Sequence, residues 1–459
     1  MADRSGYDIV ILGGGSGGYA CALRAAELGK RVALIEKDKV GGTCLHRGCI
    51  PTKALLHAAE LADQAREGAS FGVHSTLDNI DMPGVNTYKD KVVSRLYKGL
   101  TGLVASRHID TIEGEGRLVS PTQVQVGDTL IEGAHVVLAS GSQARSLPGL
   151  DIDGQRVITS DQALTLDRVP ASAVILGGGV IGAEFASVWR SFGAEVTIVE
   201  MLPHLLPLED ESSSKLLERA FRRRGISYKL GSRFEGVKDT ESGVTVTLEG
   251  GTTIDAELLL VAVGRGPVSA GLGYEDVGVA IDRGYVVVDE YMRTSVPTIS
   301  AVGDLTPGPQ LAHVGFAEGI LVAERLAEIK VVPIDYDGVP RVTYSNPEVA
   351  SVGLTSAAAA ERGIATTEVT YDLAGNGKSQ ILQTQGAAKV IATEGGGPVL
   401  GIHLVGARVG ELIAEAQLIY NWEAVPADVA QLIHPHPTQS EMIGEAHLAL
   451  AGKPLHFHS

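Results

Sequence analysis

Residues 7–53 read YDIVILGGGSGGYACALRAAELGKRVALIEKDKVGGTCLHRGCIPTK. An apolar run at 7–12 enters Gly13, Gly15 and Gly18, an alanine-rich helix is expected over 19–28, and a second apolar strand at 31–35 closes on Glu36. This is a strand-turn-helix-strand unit. Its glycines permit a tight turn and let backbone amides approach a pyrophosphate at the helix N-terminus, and the closing acid suits a ribose hydroxyl.

The same plan recurs. A strand over 173–176 leads to Gly177, Gly179 and Gly182, a helix runs through Phe192, and the strand 195–199 closes on Glu200. In both copies 18 positions separate the third glycine from the acid. One glycine fingerprint alone describes an ordinary turn as readily as a binding site; two with matched acids describe two nucleotide sites. Glu200 favours the free 2′-hydroxyl of NAD over the phosphate of NADP, and the following MLPHLLP carries no Arg to accommodate that phosphate.

Between the two copies lie Cys44 and Cys49. The chain has 3 cysteines, too few for an extracellular disulfide framework, so this close pair reads as a working redox couple and Cys21 as buried filler. The cysteines stand five positions apart at what reads as the start of a helix continuing through Lys53 and Leu56. Bridging them requires a distorted first turn, a strain that makes a disulfide more reducible, and the helix N-terminus is expected to favour either thiolate. Pro51 suits an early helical position, where its missing amide costs little.

Composition limits the rest. At 459 residues the chain suggests about three domains. With 44% hydrophobic residues, 57 glycines and slightly positive mean hydropathy it reads as a folded α/β protein, without an apolar run long enough to span a bilayer. A net charge of -17 opposes binding to nucleic acid or anionic membranes but permits a basic protein partner. The first strand begins too early for a targeting leader, so a cytoplasmic protein is expected. No Cys or acid completes a ligand set around the His-rich end, and no metal is expected.

These residues together resemble the dihydrolipoamide dehydrogenases, within the pyridine nucleotide-disulfide oxidoreductases. Besides GGTCLHRGCIPTK and the two fingerprints, the resemblance rests on ASGSQA at 139–144, AVGRGP at 262–267, ISAVGD ending at Asp304, and HPHPTQSE at 434–441. It implies two Rossmann-like dinucleotide-binding domains, for FAD and NAD, and an α+β C-terminal dimerisation domain. The implied cuts are an FAD domain at 1–150, an NAD domain at 151–270, a central segment completing the FAD site at 271–337, and an interface domain at 338–459. Pro148 and Gly149, the stretch 264–267, and the Pro- and Gly-containing stretch 332–340 agree with them.

The resemblance also implies roles. Cys44 is the interchange sulfur and Cys49 the one that passes electrons to FAD. Lys53 approaches the flavin, paired with Glu184 and stabilising negative charge on the reduced ring. His436 is the base, oriented by Glu441, with a cis bond implied before Pro437; His434 and His447 are structural. The base comes from the partner subunit, so an obligate homodimer is implied. Further FAD contacts are Glu36, Thr43, Gly116, Ser142, Asp304 and Ala312; for NAD they are the 177–182 turn, Glu200, Val237 and Gly264.

The implied reaction oxidises protein-bound dihydrolipoamide and reduces NAD, serving the lipoylated subunits of 2-oxo acid dehydrogenase or glycine cleavage complexes. One rival is an NAD(P)H-dependent reductase of a glutathione- or mycothiol-type disulfide, or of quinones; Glu200 opposes it, and the lack of further paired cysteines opposes mercuric and large thioredoxin reductases. Another is a flavin-bound scaffold that has lost turnover, opposed by the intact Cys44, Cys49, His436 and Glu441. Where the family usually has Leu-Asn-Val between the cysteines, this chain has Leu45, His46 and Arg47, which either bias the thiolates or cover the helix exterior. A second departure, Gln310 ahead of Leu311, stands where methionine is more usual.

Overall fold

A computed structural model describes residues 4–457. By internal contacts the chain divides into two units. The first comprises the N-terminal segment through Ala54, Pro83–Arg145 and Gly264–Tyr336; the second comprises Leu55–Met82, Ser146–Val263 and the segment from Asp337 onward.

The first unit is built on a seven-stranded sheet. Strands Asp110–Glu113, Val32–Glu36, Arg4–Leu12 and Thr129–Leu138 run parallel in that order, with Ile299–Ala301 added parallel to the last. Two antiparallel strands, Gln123–Val126 and Gly116–Ser120, extend it. The continuous apolar runs are explained by burial on both faces. Ile9, Ile11 and Leu34 pack into one cluster with the helix residues Cys21, Ala22 and Ala25, while Val10, Leu12, Ala33 and Ile35 fill another.

The expected helix at 19–28 forms as Ser16–Glu27. It meets a second helix, Ala312–Leu326, at backbone distance: a Cβ on Gly319 would stand 2.3 Å from the Gly17 carbonyl oxygen. Only glycine permits this approach.

The second unit holds a separate parallel sheet in the order Ile226–Lys229, Glu195–Val199, Ser172–Leu176, Leu258–Val261 and Val157–Ile158. A three-stranded antiparallel sheet, Phe234–Asp239, Val244–Leu248 and Thr253–Ala256, packs on the same core through Val244, Val246 and Leu248. The C-terminal part is a five-stranded antiparallel sheet covered by helices Val409–Asn421 and Glu441–Leu450. The architecture is thus α/β with two Rossmann-like sheets and an α+β C-terminal domain, as expected. Among the described residues no helix is long and apolar enough to cross a membrane.

Candidate active site

The redox cysteines lie on two helices, where the sequence reading placed one. Cys44 belongs to Gly42–Arg47 and Cys49 opens Cys49–Glu67; between them Gly48 breaks the chain at φ -145 and ψ -114. The expected distorted turn is therefore a complete interruption. A Cβ at Gly48 would stand 3.0 Å from the Thr43 carbonyl oxygen, so a side chain there would strain the break. The Thr52 amide and hydroxyl both donate to the Gly48 carbonyl, at 3.1 and 2.7 Å, and restart the helix.

Both cysteines are free thiols, half-buried, and within hydrogen-bonding reach of each other. The hydrogen bond with Cys49 holds the Cys44 thiol far above its ordinary range; burial and the Cys49 charge add to this, and Lys53 opposes it. Once one thiol ionises the remaining proton lies between the two sulfurs, so the raised Cys44 thiol is the second ionisation of the pair and does not oppose a thiolate there. Burial first, then the charges of Cys44 and Cys49, raise the Tyr19 phenol to about 12. Cys21 is fully buried, with burial pushing its thiol up to about 12, as inert filler should be.

His46 and Arg47 have partners of their own. The His46 ring lies 3.0 Å from the Val40 carbonyl oxygen and edge-on to Tyr97, and Arg47 pairs with Asp38 at 3.0 Å. These residues line a depression of about 390 Å³ with Lys39, Asp90 and Ser94.

The two glycine turns are near-duplicates. A Cβ on Gly13 would stand 2.2 Å from the Ala139 carbonyl oxygen, and one on Gly177 2.3 Å from that of Ala262. A Cβ on Gly18 or Gly182 would stand 1.9 or 2.0 Å from the carbonyl oxygen of Gly13 or Gly177. Gly15 and Gly179, the N-caps of their helices, face open space: a Cβ there meets nothing within 4 Å, and no side chain caps either helix. Two helix ends with uncapped amides and room in front fit two pyrophosphates.

The matched acids are equally alike. Glu36 accepts from the Gly14 amide at 2.7 Å and the Asp38 amide at 2.9 Å; Glu200 accepts from Gly178 at 2.7 Å and Leu202 at 2.8 Å. Each carboxylate is thereby aimed by its own turn before any ribose arrives.

Four expected or adjoining residues of the first unit form one network. Ser142 donates to Asp304 at 2.5 Å, Arg265 donates to the Ser142 hydroxyl and carbonyl at 2.8 Å each, and Arg265 also reaches the Thr43 hydroxyl at 3.4 Å. Ala312 is the first residue of its helix, whose N-cap Leu311 supplies no side-chain cap. Beside it the buried Nε2 of Gln310 has no hydrogen-bond partner, an orphaned donor of the kind a bound cofactor satisfies.

In the C-terminal sheet domain His436 Nδ1 lies 2.9 Å from Glu441 Oε1, and the other carboxylate oxygen accepts from the Thr438 amide at 2.7 Å. Burial acts to raise the Glu441 carboxyl, but the Thr438 amide and His436 outweigh it and hold it low. The His436–Pro437 bond is cis. The imidazole is 75% exposed, so its second nitrogen is open to an incoming group. His434 is spent on Glu415 at 2.7 Å, and the buried His447 on the Ile443 carbonyl at 2.6 Å.

Family models match along most of the chain: pyridine nucleotide-disulphide oxidoreductase over residues 7–319, and the dimerisation domain of that family over 339–447. The chain belongs to the pyridine nucleotide-disulphide oxidoreductases. It is 40% identical to the dihydrolipoyl dehydrogenase of Bacillus subtilis, covering 98% of this chain and 99% of that protein. It is 39% identical to the mitochondrial dihydrolipoyl dehydrogenase of Pisum sativum, covering 98% and 92%. The crystal structure of LpdA from Mycobacterium tuberculosis superposes with a TM-score of 0.90 at 29% identity, covering 96% of this chain and 99% of that one.

Glu184 is buried in helix Val180–Phe192 and accepts from the Tyr344 amide at 2.9 Å. Val237 sits in strand Phe234–Asp239 opposite Val246. At Gly116 a Cβ would stand 2.5 Å from the end of the Leu12 side chain, which would have to shift to admit it, and the Gly264 carbonyl holds the Arg145 amide at 3.0 Å.

The sequence reading missed two residues. Arg265 lies inside a quoted motif, but nothing in its spacing showed that it would tie Thr43 to Ser142. Glu318 is buried, accepting from the Gly303 amide at 2.5 Å and Tyr336 at 2.7 Å. Burial raises it to about 7, with Asp304 contributing against the pull of its two donors. Among the described residues no group of three or more His, Cys, Asp or Glu is arranged to hold a metal.

Proposed function

We propose that this chain is an FAD-containing, NAD-dependent dihydrolipoyl dehydrogenase that oxidises protein-bound dihydrolipoamide to lipoamide. The observation that carries this reading is the pair of coupled thiols at the Gly48 break, directly after the first nucleotide turn. Domain limits of 1–150, 151–270, 271–337 and 338–459 accompany it. The enzyme is a homodimer through the family's dimerisation domain. Its site of action is the cytosol, and its partners are lipoylated subunits of 2-oxo acid dehydrogenase or glycine cleavage complexes.

In the oxidised enzyme Cys44 and Cys49 form a disulfide. His436 of the partner subunit, oriented by Glu441, takes a proton from a dihydrolipoamide thiol, and the thiolate attacks the Cys44 sulfur. Cys49 leaves as a thiolate. The second substrate thiol then attacks the substrate sulfur of the mixed disulfide and its proton passes to Cys44, which leaves with the electron pair as a thiol while lipoamide departs as a cyclic disulfide. Held by the residues named below, FAD would supply the two-electron acceptor for this dithiol and the hydride source for NAD.

The chain's own residues do the rest. The Gly15 and Gly179 turns hold the two pyrophosphates, while Glu36 and Glu200 hold the ribose hydroxyls, Glu200 selecting NAD. Thr43, Gly116, Ser142, Asp304 and Ala312 complete the FAD contacts, and Lys53 supplies a cation at the flavin edge. Val237 and Gly264 complete the NAD side.

Steady-state turnover of dihydrolipoamide with NAD against NADP, beside NADPH-driven reduction of glutathione and mycothiol disulfides, tests the reading. Preference for dihydrolipoamide and NAD supports it; faster NADPH-driven reduction of either other disulfide rejects it.

A further inference from the structure

We propose that His456, in the C-terminal tail, is a positioning residue for the base His436, acting through Glu445 and Glu441. This rests on the reading of His436 as the base. The observation is a second imidazole-carboxylate pair beside the first. His456 Nδ1 lies 2.8 Å from Glu445 Oε1, and the His456 backbone amide donates to Glu445 Oε2 at 3.0 Å. Glu441 and Glu445 stand four positions apart on helix Glu441–Leu450, so they are neighbours on one face.

The tail is pinned rather than loose at this point. Both carboxylate oxygens of a largely buried Glu445 hold His456, and the next residue, Phe457, packs against the core that contains Met442, Ile443 and Ala446. The charge of His456 reaches Glu441 and acts to lower its carboxyl.

The electrostatic logic is simple. Two carboxylates one turn apart would together stabilise an imidazolium at His436 and make it slow to release its proton. When protonated, His456 offsets the Glu445 charge and leaves His436 under the field of Glu441 alone. Other titratable groups around the helix are engaged or distant in role. Tyr371, raised to about 12 by burial and by Glu445, Glu441 and Asp372, stays neutral; His434 pairs with Glu415; Lys389 pairs with Asp210 and Glu368; and Asp428 holds the Val425 amide.

The test uses the dimeric holoenzyme and the acid limb of the pH profile for dihydrolipoamide oxidation. His456→Asn removes the cation and exposes Glu445, so the midpoint of that limb rises by roughly half a pH unit, and the shift shrinks at high salt. His456→Lys, which keeps a cation, stays near the parent midpoint. The double variant His456→Asn with Glu445→Gln removes both charges and returns the midpoint to the parent value, which a purely structural loss would not do. An unmoved midpoint in His456→Asn, or a double variant as displaced as the single one, overturns the proposal. The imidazole titration of His436, assigned by its loss in His436→Gln and followed by NMR, separates the two claims. If that titration moves while the rate profile does not follow it, the reading of His436 as the base is what fails, and this inference falls with it; if neither moves, this inference alone fails.

Discussion

Gly179→Ala separates what the fold needs from what the nucleotide needs. The N-cap at Gly179 has φ -75 and ψ -170, a backbone open to any residue, and its added Cβ meets no protein atom within 4 Å. The fold therefore loses nothing, and the reduced freedom of the unfolded chain adds up to about 1 kcal/mol of stability. The same Cβ occupies the space in front of the uncapped amides. Displacing the pyrophosphate from one charge-assisted hydrogen bond costs about 1.5–3 kcal/mol, or roughly 10- to 150-fold in affinity for NADH. Gly182→Ala gives the opposite balance, since its Cβ would stand 2.0 Å from the Gly177 carbonyl oxygen and should destabilise the unit by about 2–4 kcal/mol. The assays are thermal unfolding and NADH titration of the purified enzyme, with FAD content checked by absorbance. Parent-like NADH binding in Gly179→Ala, or a clear fall in its Tm, would refute the reasoning.

His436→Gln should lower dihydrolipoamide turnover by about 10²- to 10⁴-fold at neutral pH while leaving FAD content unchanged, measured by steady-state rates. Acid stability should report on His447, which burial lowers to about 4. As pH falls from about 6.5 to about 4 the unfolded chain takes up a proton that the folded chain refuses, so up to about 3 kcal/mol of stability is lost across that window. A neutral replacement such as His447→Gln should flatten that part of the curve, and denaturant titrations at several pH values check it. Adding NADH to the yellow enzyme should produce the red thiolate-flavin charge-transfer band if the cysteine pair is coupled to the flavin; plain bleaching would count against coupling. If the -17 charge docks the dimer on a basic subunit-binding module, co-purification should weaken as salt rises.

What the sequence displayed and what it concealed follow from range. The strand runs around Ile9 to Leu12 and Ala173 to Leu176, the glycine turns and their acids are local patterns, and each forms within a few residues of its expected limits. The pairing of His436 with Glu441 was legible for the same reason, being five residues long. The Gly48 break was only half legible: spacing required distortion, but the crowding of Thr43 and Cys44 that makes it a full interruption is a packing fact. Arg265 meets Ser142 123 positions away, and Glu318 is buried beneath Gly303 and Tyr336; long-range partners of this kind leave no periodic trace. The elevated Cys44 thiol was not legible, because helix polarity is visible in the sequence and the hydrogen bond between the two sulfurs is not.

The whole account depends on electrons passing through one sulfur pair beside one nucleotide turn. Dihydrolipoamide-NAD turnover by Cys44→Ser and by Cys49→Ser, each shown to retain FAD and the parent Tm, tests this most directly. Activity should fall to background in both; substantial turnover in either would contradict it.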